Sequence, residues 1–252
     1  MSASPRERLI EAGIRLLERD GPQALQARKV AAEIGASTMA VYTHFGGMTG
    51  LLDAIAGEVF ARFAQALTEI PRTDDPVADF FAMGASYRRF ALANPQRYQL
   101  IFGISSPETI ARRRTDLTVS GSVADGSARA ASFEALLAVV RRMITAGRIR
   151  DDGELAVAGR LWSLIHGAVM LEIAGFFGHE GHGLTQILGP MTVDLLVGMG
   201  DDRAKTTASM LKAGDSHLRK PVNPCMLRGH RHIPDATDRG AARPGSSKIA
   251  DP

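Results

Sequence analysis

Seven histidines and one cysteine mark the first places where this chain of 252 residues could do chemistry. His179 and His182 bracket the run HEGH. A zinc protease signature needs its two histidines four residues apart on one helix, and here the second arrives one residue early with no long helix to carry the pair. His230 and His232 lie near Cys225 in a stretch rich in Pro, Gly and Arg, without the ligand spacing of a zinc site. The single cysteine excludes an intrachain disulfide and any four-cysteine site. No GxxxxGK[ST] loop is present to cradle a phosphate, and no GxSxG elbow to raise a nucleophile. Catalysis therefore has no constellation to rest on, and no metal or cofactor is expected. His166 sits among apolar neighbours and has two readings: a hydrogen-bonded core residue, or a polar handle inside a ligand site.

The residues with a better claim to function are those of QARKVAAEIGASTMAVYTHFGG, positions 26 to 47. Ala27 to Ile34 reads as a short helix with Val30, Ala31 and Ile34 on one face. Gly35 suits a left-handed helix stop, and Ser37 stands where the next helix needs a hydroxyl cap. From Thr38 to Phe45 the chain runs from apolar Met39, Ala40 and Val41 to polar and aromatic Tyr42, Thr43 and His44. Two short helices around a tight turn, the second ending in hydrogen-bonding groups, make a helix-turn-helix. One helix braces while the other offers its surface to the major groove.

The remaining elements are helical. Residues 5 to 20 place Leu9, Ile10, Gly13, Leu16 and Leu17 on one face, with Ser4 as candidate cap and Gly21-Pro22 as stop. Residues 48 to 70 form a long helix with Leu52, Ile55, Val59, Phe63 and Leu67 inward, closed by PRTDDP. Helices follow over 76–93, from Asn94-Pro95 to Phe102, and over 127–148. Between the last two, residues 104–126 are the least helical part, and Arg112, Arg113 and Arg114 there read as a solvated helix end. The run from Glu154 to Gly178 is apolar almost all round, with Glu172 uncompensated near its end. Within residues 161–178, three glycines, Ser163, His166 and that charge speak against a membrane span and for a helix buried on both faces. Trp162, His166, Val169 and Ile173 make one stripe; Leu161, Leu164, Ala168, Leu171 and Gly175 make another. Leu184, Leu188, Met191 and Leu195 continue the pattern through Gly200, with a kink expected at Pro190. Periodicity then stops, and the composition of residues 201–252 predicts disorder.

Charge is unevenly distributed. The pI is near 9.3 and the net charge +3, but residues 1–56 hold six basic and six acidic side chains, while residues 201–252 hold ten and six. The excess positive charge thus lies outside the helix-turn-helix, although phosphate neutralisation normally supplies much of DNA affinity.

From Arg6 to Val59 the chain resembles the DNA-binding domain of the TetR/AcrR family of bacterial regulators. The resemblance rests on Leu9, Ile10, Ala12, Leu16 and Leu17, then Gly21, Lys29-Val30-Ala31, Gly35, Val41-Tyr42-Thr43-His44-Phe45 and Leu51-Leu52, all in one register. Trp162 with His166-Gly167 is similar to the tryptophan-histidine-glycine signature of one subgroup of TetR ligand domains. The resemblance implies an all-α fold: a helix-turn-helix domain (1–58), joined through a long helix to a ligand-binding and dimerisation domain (59–200), with the tail (201–252) outside it. Position by position, Arg28, Thr38 and Met39 match base-contacting residues and Tyr42 and His44 match phosphate contacts, with Ser37 beside them. By the same analogy an effector pocket draws on Tyr87, Phe90, Phe102, Phe133, Trp162 and His166. The last two long helices would pair with their copies through Leu161, Leu164, Ala168, Leu184, Leu188, Met191 and Leu195. Two departures stand out: Met48 replaces a lysine that commonly reaches a phosphate, and Gln26-Ala27 lacks the usual hydroxyl cap. The implied function is a cytoplasmic, homodimeric repressor, released from a pseudo-palindromic double-stranded operator by a small hydrophobic effector, without membrane partners. The alternative is an all-α small-molecule carrier or enzyme with a vestigial helix-turn-helix.

Overall fold

The computed structural model describes residues 3–102, 128–178 and 181–218. Every regular element among these residues is helical. The segment 104–126 with its arginine run at 112–114, His179, and Cys225, His230 and His232 fall outside them.

Helix α1 (Pro5–Asp20) opens with a reciprocal cap: the Glu7 backbone N–H donates to Ser4 Oγ, and the Ser4 N–H donates to the Glu7 carboxylate. Its Leu9, Ala12, Ile14, Leu16 and Leu17 are buried. Gly13 faces the long helix α4 (Met48–Thr68) so closely that a Cβ there would lie 2.3 Å from Ile55 Cδ1. Between them come α2 (Ala27–Ala32) and α3 (Met39–Phe45). At 21 residues, α4 runs about 32 Å. Leu51, Ile55 and Val59 pack toward α1, while Phe63 and Leu67 join helices further along the chain. The core is one connected cluster from Leu9 to Met199.

Helix α5 (Pro76–Ala93) is capped by Asp75, which accepts from the N–H groups of Val77 and Ala78 at 3.1 and 3.0 Å. The turn before it is pinned by buried Asp79, which accepts from Thr73 N–H and hydroxyl and from Arg142 at 2.6 Å. Helices α6 (Pro95–Ile101), α7 (Ala128–Thr145) and α8 (Glu154–Ile173) complete the body around α4. By length and composition α8 would suffice to cross a membrane. It buries Val157, Leu161, Ile165 and Val169 in the common core. Glu172, expected to be uncompensated, is held bidentately by Arg88 of α5, with Arg88 Nε 2.8 Å from its carboxylate.

A π-helical turn (Gly183–Leu188) leads straight into α9 (Gly189–Gly198). Pro190, where a kink is expected, stands in the first turn of α9 at the junction with the π-helical turn. The tail expectation also changes: residues 203–218 form helix α10 (Arg203–Leu218), packed on α5. Polar groups anchor it. Arg148 donates to both oxygens of Asp201 at 2.8 Å and to Asp75 at 3.1 Å, while Ser209 Oγ donates to Asp75 at 2.8 Å. Thr206 and Ser209 are buried. The stretch 219–252 lies outside the described residues.

Candidate functional site

The turn between α2 and α3 forms as its glycine requires. Gly35 takes φ +69°, and the Ala36 N–H returns to Ala31 O at 2.9 Å, closing α2 in a left-handed stop. Ser37 does not cap α3. Thr38 already has helical dihedrals (φ −54°, ψ −28°), and only the carbonyl of Ser37 is used, accepting from the Ala40 N–H at 3.0 Å. Thr43 Oγ1 bonds back to Met39 O at 3.0 Å, so its hydroxyl is taken up within α3. Val41 is fully buried and fixes the helix by one residue. The opposite face is open: Arg28, Ser37, Thr38, Met39, Tyr42 and His44 are all exposed, Met39 by 68% and Tyr42 by 56%.

Charge pairing removes the objection raised by the even charge count. Glu11 pairs with Arg62, Glu18 with Arg97, and Asp20 and Glu33 with Arg19, while Glu7 is engaged in its cap. α3 carries no carboxylate, and Arg28 and Lys29 join no ion pair among the described residues. Four glutamates and an aspartate are thus held by partners, leaving two cations free at the edge of the exposed face. Downstream, Gly46 (φ +70°) ends α3, and Gly50 is required because a Cβ would lie 2.0 Å from Phe45 O. Met48 is half-buried against the core at the start of α4.

The second set of residues also converges. Tyr87 and Phe90 from α5, Phe102 after α6, Phe133 from α7, and Trp162 and His166 from α8 form one aromatic cluster. Phe102 lies 4.7 Å from the His166 ring and 6.1 Å from Trp162 between centroids, and Phe133 lies 6.1 Å from Trp162. Phe63 of α4 joins it, 5.0 Å from Tyr87 and 5.1 Å from Phe90. Tyr98 of α6, absent from the expected set, is its polar centre. Its hydroxyl is 2.6 Å from His166 Nδ1 and 2.7 Å from the Tyr87 hydroxyl, which accepts from Trp162 Nε1–H at 3.2 Å. Burial lowers the His166 pKa and raises those of Tyr87 and Tyr98, so the imidazole is neutral and both phenols stay protonated. A separate cavity of about 150 Å³ lies between α4, α5 and α7, lined by Leu67, Ile70, Met83, Ala135, Val139 and Arg142, none of them in the aromatic cluster.

Comparison with known proteins agrees with this geometry. Residues 9–55 match the tetR family of bacterial regulatory proteins, and residues 80–191 match the tetracyclin repressor-like C-terminal domain. The chain belongs to the TetR family. It is a DNA-binding transcriptional regulator. An HTH-type transcriptional regulator of Mycobacterium tuberculosis is 26% identical over 175 residues, covering 68% of this chain and 71% of that protein. The nicotine-responsive transcriptional repressor HdnoR of Paenarthrobacter nicotinovorans is 36% identical over 78 residues, 31% of this chain and 39% of that one. Among solved structures, a protein from Rhodococcus sp. RHA1 superposes with a TM-score of 0.58 at 25% identity, covering 85% of this chain and 96% of that one. The fatty acid degradation regulator FadR of Bacillus halodurans superposes with a TM-score of 0.59 at 12% identity, covering 78% and 96%.

Within this TetR-family subunit the seven residues expected at a dimer interface divide. Leu161, Ala168 and Leu188 are buried in the subunit's own core and are not available to a partner. Leu164 and Leu195 are half-buried, while Leu184 and Met191 are 39% and 43% exposed. The open face of α8 instead carries Ser163, Gly167 and Leu171, and Phe176 beyond it is 76% exposed.

Proposed function

We propose that this TetR-family regulator is a homodimeric repressor whose α3 reads a pseudo-palindromic operator and whose aromatic cluster takes a small hydrophobic effector. Residues 1–58 are the reading unit in this account and residues 59–200 the binding and pairing unit, acting in the cytoplasm where the DNA is. The observation that carries the DNA side is the exposure of Met39 and Tyr42 on a seven-residue helix without a carboxylate. A methionine and a tyrosine this exposed on so short an element contribute little to the core, whereas a thymine methyl and a phosphate would use both. In this account Arg28 bonds guanine O6 and N7 together, Thr38 and Met39 meet bases, and Tyr42 and His44 contact the phosphate backbone. The repressor sense is supported by HdnoR, itself a transcriptional repressor.

Pairing follows from Leu171, Phe176, Leu184 and Met191, apolar groups exposed on consecutive elements. Two-fold pairing places two copies of α3 along the duplex and so demands matching half-sites. Effector release works through populations: a ligand that prefers the subunit arrangement unable to span both half-sites shifts the protein off DNA by its differential affinity alone.

The test is binding by anisotropy to the DNA flanking the protein's own coding region, with base-substituted variants. Tyr42→Ala is expected to weaken binding to every sequence, whereas Arg28→Ala relaxes the preference at one base pair per half-site by about 1–3 kcal/mol. An even loss for both variants would make Arg28 a phosphate contact. Full retention in both would remove α3 as the reader.

A further inference from the structure

The hydrogen-bond directions in the aromatic cluster are determined by its one donor-only group. Trp162 Nε1–H can only donate, and it reaches the Tyr87 oxygen at 3.2 Å. The Tyr87 hydrogen must then go to Tyr98, 2.7 Å away, or to His166 Nδ1 at 3.2 Å. If Tyr87 donates to Tyr98, the Tyr98 hydrogen goes to His166 Nδ1 at 2.6 Å, and every hydroxyl hydrogen has an acceptor. In the opposite arrangement His166 Nδ1–H donates to Tyr98 and Tyr98 to Tyr87. Tyr87 then holds a hydrogen for which neither neighbour is an acceptor. An orphaned donor on a side chain this deeply buried is disfavoured. His166 Nδ1 is therefore an acceptor, and the proton of the neutral ring sits on Nε2. Among the described residues Nε2–H has no hydrogen-bond partner, and the rings around it are Phe102, Trp162 and Tyr98. Both carboxylates of α8 are paired, Glu172 bidentately with Arg88 and Glu154 with Arg141, so no free negative charge of α8 faces the cluster.

We propose that the effector is recognised through a hydrogen-bond acceptor of carbonyl type, seated on His166 Nε2–H, on a hydrophobic body that fills the aromatic cluster, and that cationic compounds are rejected. This rests on the cluster being the effector site. An apolar body gains from the rings, and a carbonyl oxygen meets the Nε2–H, a donor without a hydrogen-bond partner among the described residues. A cation would find ring faces but also a fixed N–H dipole aimed against it and no free carboxylate on α8. Recognition by a group oriented through Tyr98, Tyr87 and Trp162 also ties the effector to three helices, α5, α6 and α8.

The experiment uses the full chain and its only tryptophan, Trp162, as reporter. Acetophenone, ethylbenzene and benzyltrimethylammonium are titrated separately against its fluorescence. The ratio of acetophenone to ethylbenzene affinity is expected to fall about 3- to 10-fold in His166→Phe, which keeps a ring but no donor, and to be retained in His166→Gln, which keeps an N–H. Benzyltrimethylammonium is expected to bind at least about 10-fold more weakly than acetophenone to the wild type, a comparison that needs no variant to fold. Nitrogen-15 spectra of the histidine-labelled wild type give a third reading, with the His166 signals expected to show an unprotonated Nδ1 and a protonated Nε2. A ratio unmoved by His166→Phe, a cation bound as tightly as acetophenone, or a protonated Nδ1 would each overturn the proposal while leaving the site reading intact. Silence of Trp162 toward all three probes would overturn the site reading and the proposal with it.

Discussion

Leu188 and Met191 are three residues apart in the same helical run, yet arginine at each is expected to fail in a different way. Leu188 is 6% exposed within one subunit, Met191 43%. Leu188→Arg loses about 1.5–3 kcal/mol of apolar burial and must either bury a guanidinium or open the core around it, at several kcal/mol more. A total of about 5 kcal/mol is a large part of the roughly 5–15 kcal/mol that holds a domain together. Its expected result is a protein that melts at least about 10 °C lower or does not accumulate folded. Met191→Arg costs within about 0.5 kcal/mol in the isolated subunit. At a two-fold interface, however, the substitution occurs twice and places like charges against each other. A loss of about 4 kcal/mol raises a dimer Kd about a thousandfold. The assay is light scattering at about 10 μM, with far-UV circular dichroism and operator binding on the same samples. Met191→Arg should give a fully helical monomer with poor operator binding. A Met191→Arg dimer of unchanged affinity would place the interface elsewhere, and a Leu188→Arg protein that melts like wild type would show that Leu188 is not part of the subunit core.

Met48→Lys restores a cation at the start of α4, its stem replacing the half-buried methionine. It is expected to tighten non-specific DNA binding and to steepen the log–log salt slope by about 0.9 per added phosphate contact; an unchanged slope would show that no phosphate comes within reach. The α10 anchor predicts a pH signature. Burial alone would raise the pKa of Asp201 and of Asp75. For Asp201 the bonds from Arg148 and Thr206 outweigh it, and for Asp75 those from the Ala78 N–H, Ser209 and Arg148 do, so both carboxyls end below their ordinary values. Groups with lowered folded pKa contribute stability that is complete above the unfolded value, about 4, and lost as the pH falls through the folded one. Arg148→Ala should therefore be destabilised by about 2–4 kcal/mol at pH 7, measured by urea unfolding, with the gap to wild type closing below about pH 4. A gap that stays constant into acid would mean that packing, not charge, holds α10.

Elements whose function depends on local chemistry were readable from the sequence. Gly35 announces a left-handed stop because no other residue enters that region cheaply, and it has φ +69°. Val41 could not be told from its apolar neighbours Met39 and Ala40 on paper, yet it alone of the three is fully buried. The Ser37 cap failed for a reason periodicity cannot show: the chain begins to coil one residue early, so Thr38 is already helical and the hydroxyl of Ser37 has no orphan N–H to meet. Helix α10 was missed because it is anchored by Arg148, Asp75, Asp201, Thr206 and Ser209 instead of an apolar stripe. The partners of Arg148 lie 53 to 73 residues away in the chain, and no hydropathy pattern encodes them.

The two functional regions of the C-terminal part were legible to different depths for the same physical reason. A helix that is apolar all round names its stripes but not their directions. The stripe of Leu161, Leu164, Ala168, Leu171 and Gly175 divides: Leu161 and Ala168 turn into the subunit, while Leu171 and Gly175 turn out beside Ser163 and Gly167. Exposure had to be seen because both faces are equally hydrophobic on paper. The aromatic cluster was nearer to reach, since the six residues that the family resemblance implied for a pocket are large rings from four helices that do gather in the core. Tyr98 was not among the six, because a lone tyrosine in a seven-residue helix gives no periodic signal. Yet it is the residue that bridges the hydroxyl of Tyr87 to His166, and without it the imidazole would have no short partner at Nδ1. The resemblance named the rings; only the donor–acceptor arithmetic of Trp162, Tyr87, Tyr98 and His166 gives the cluster a polarity, and a ligand is chosen by polarity once its bulk has been accommodated.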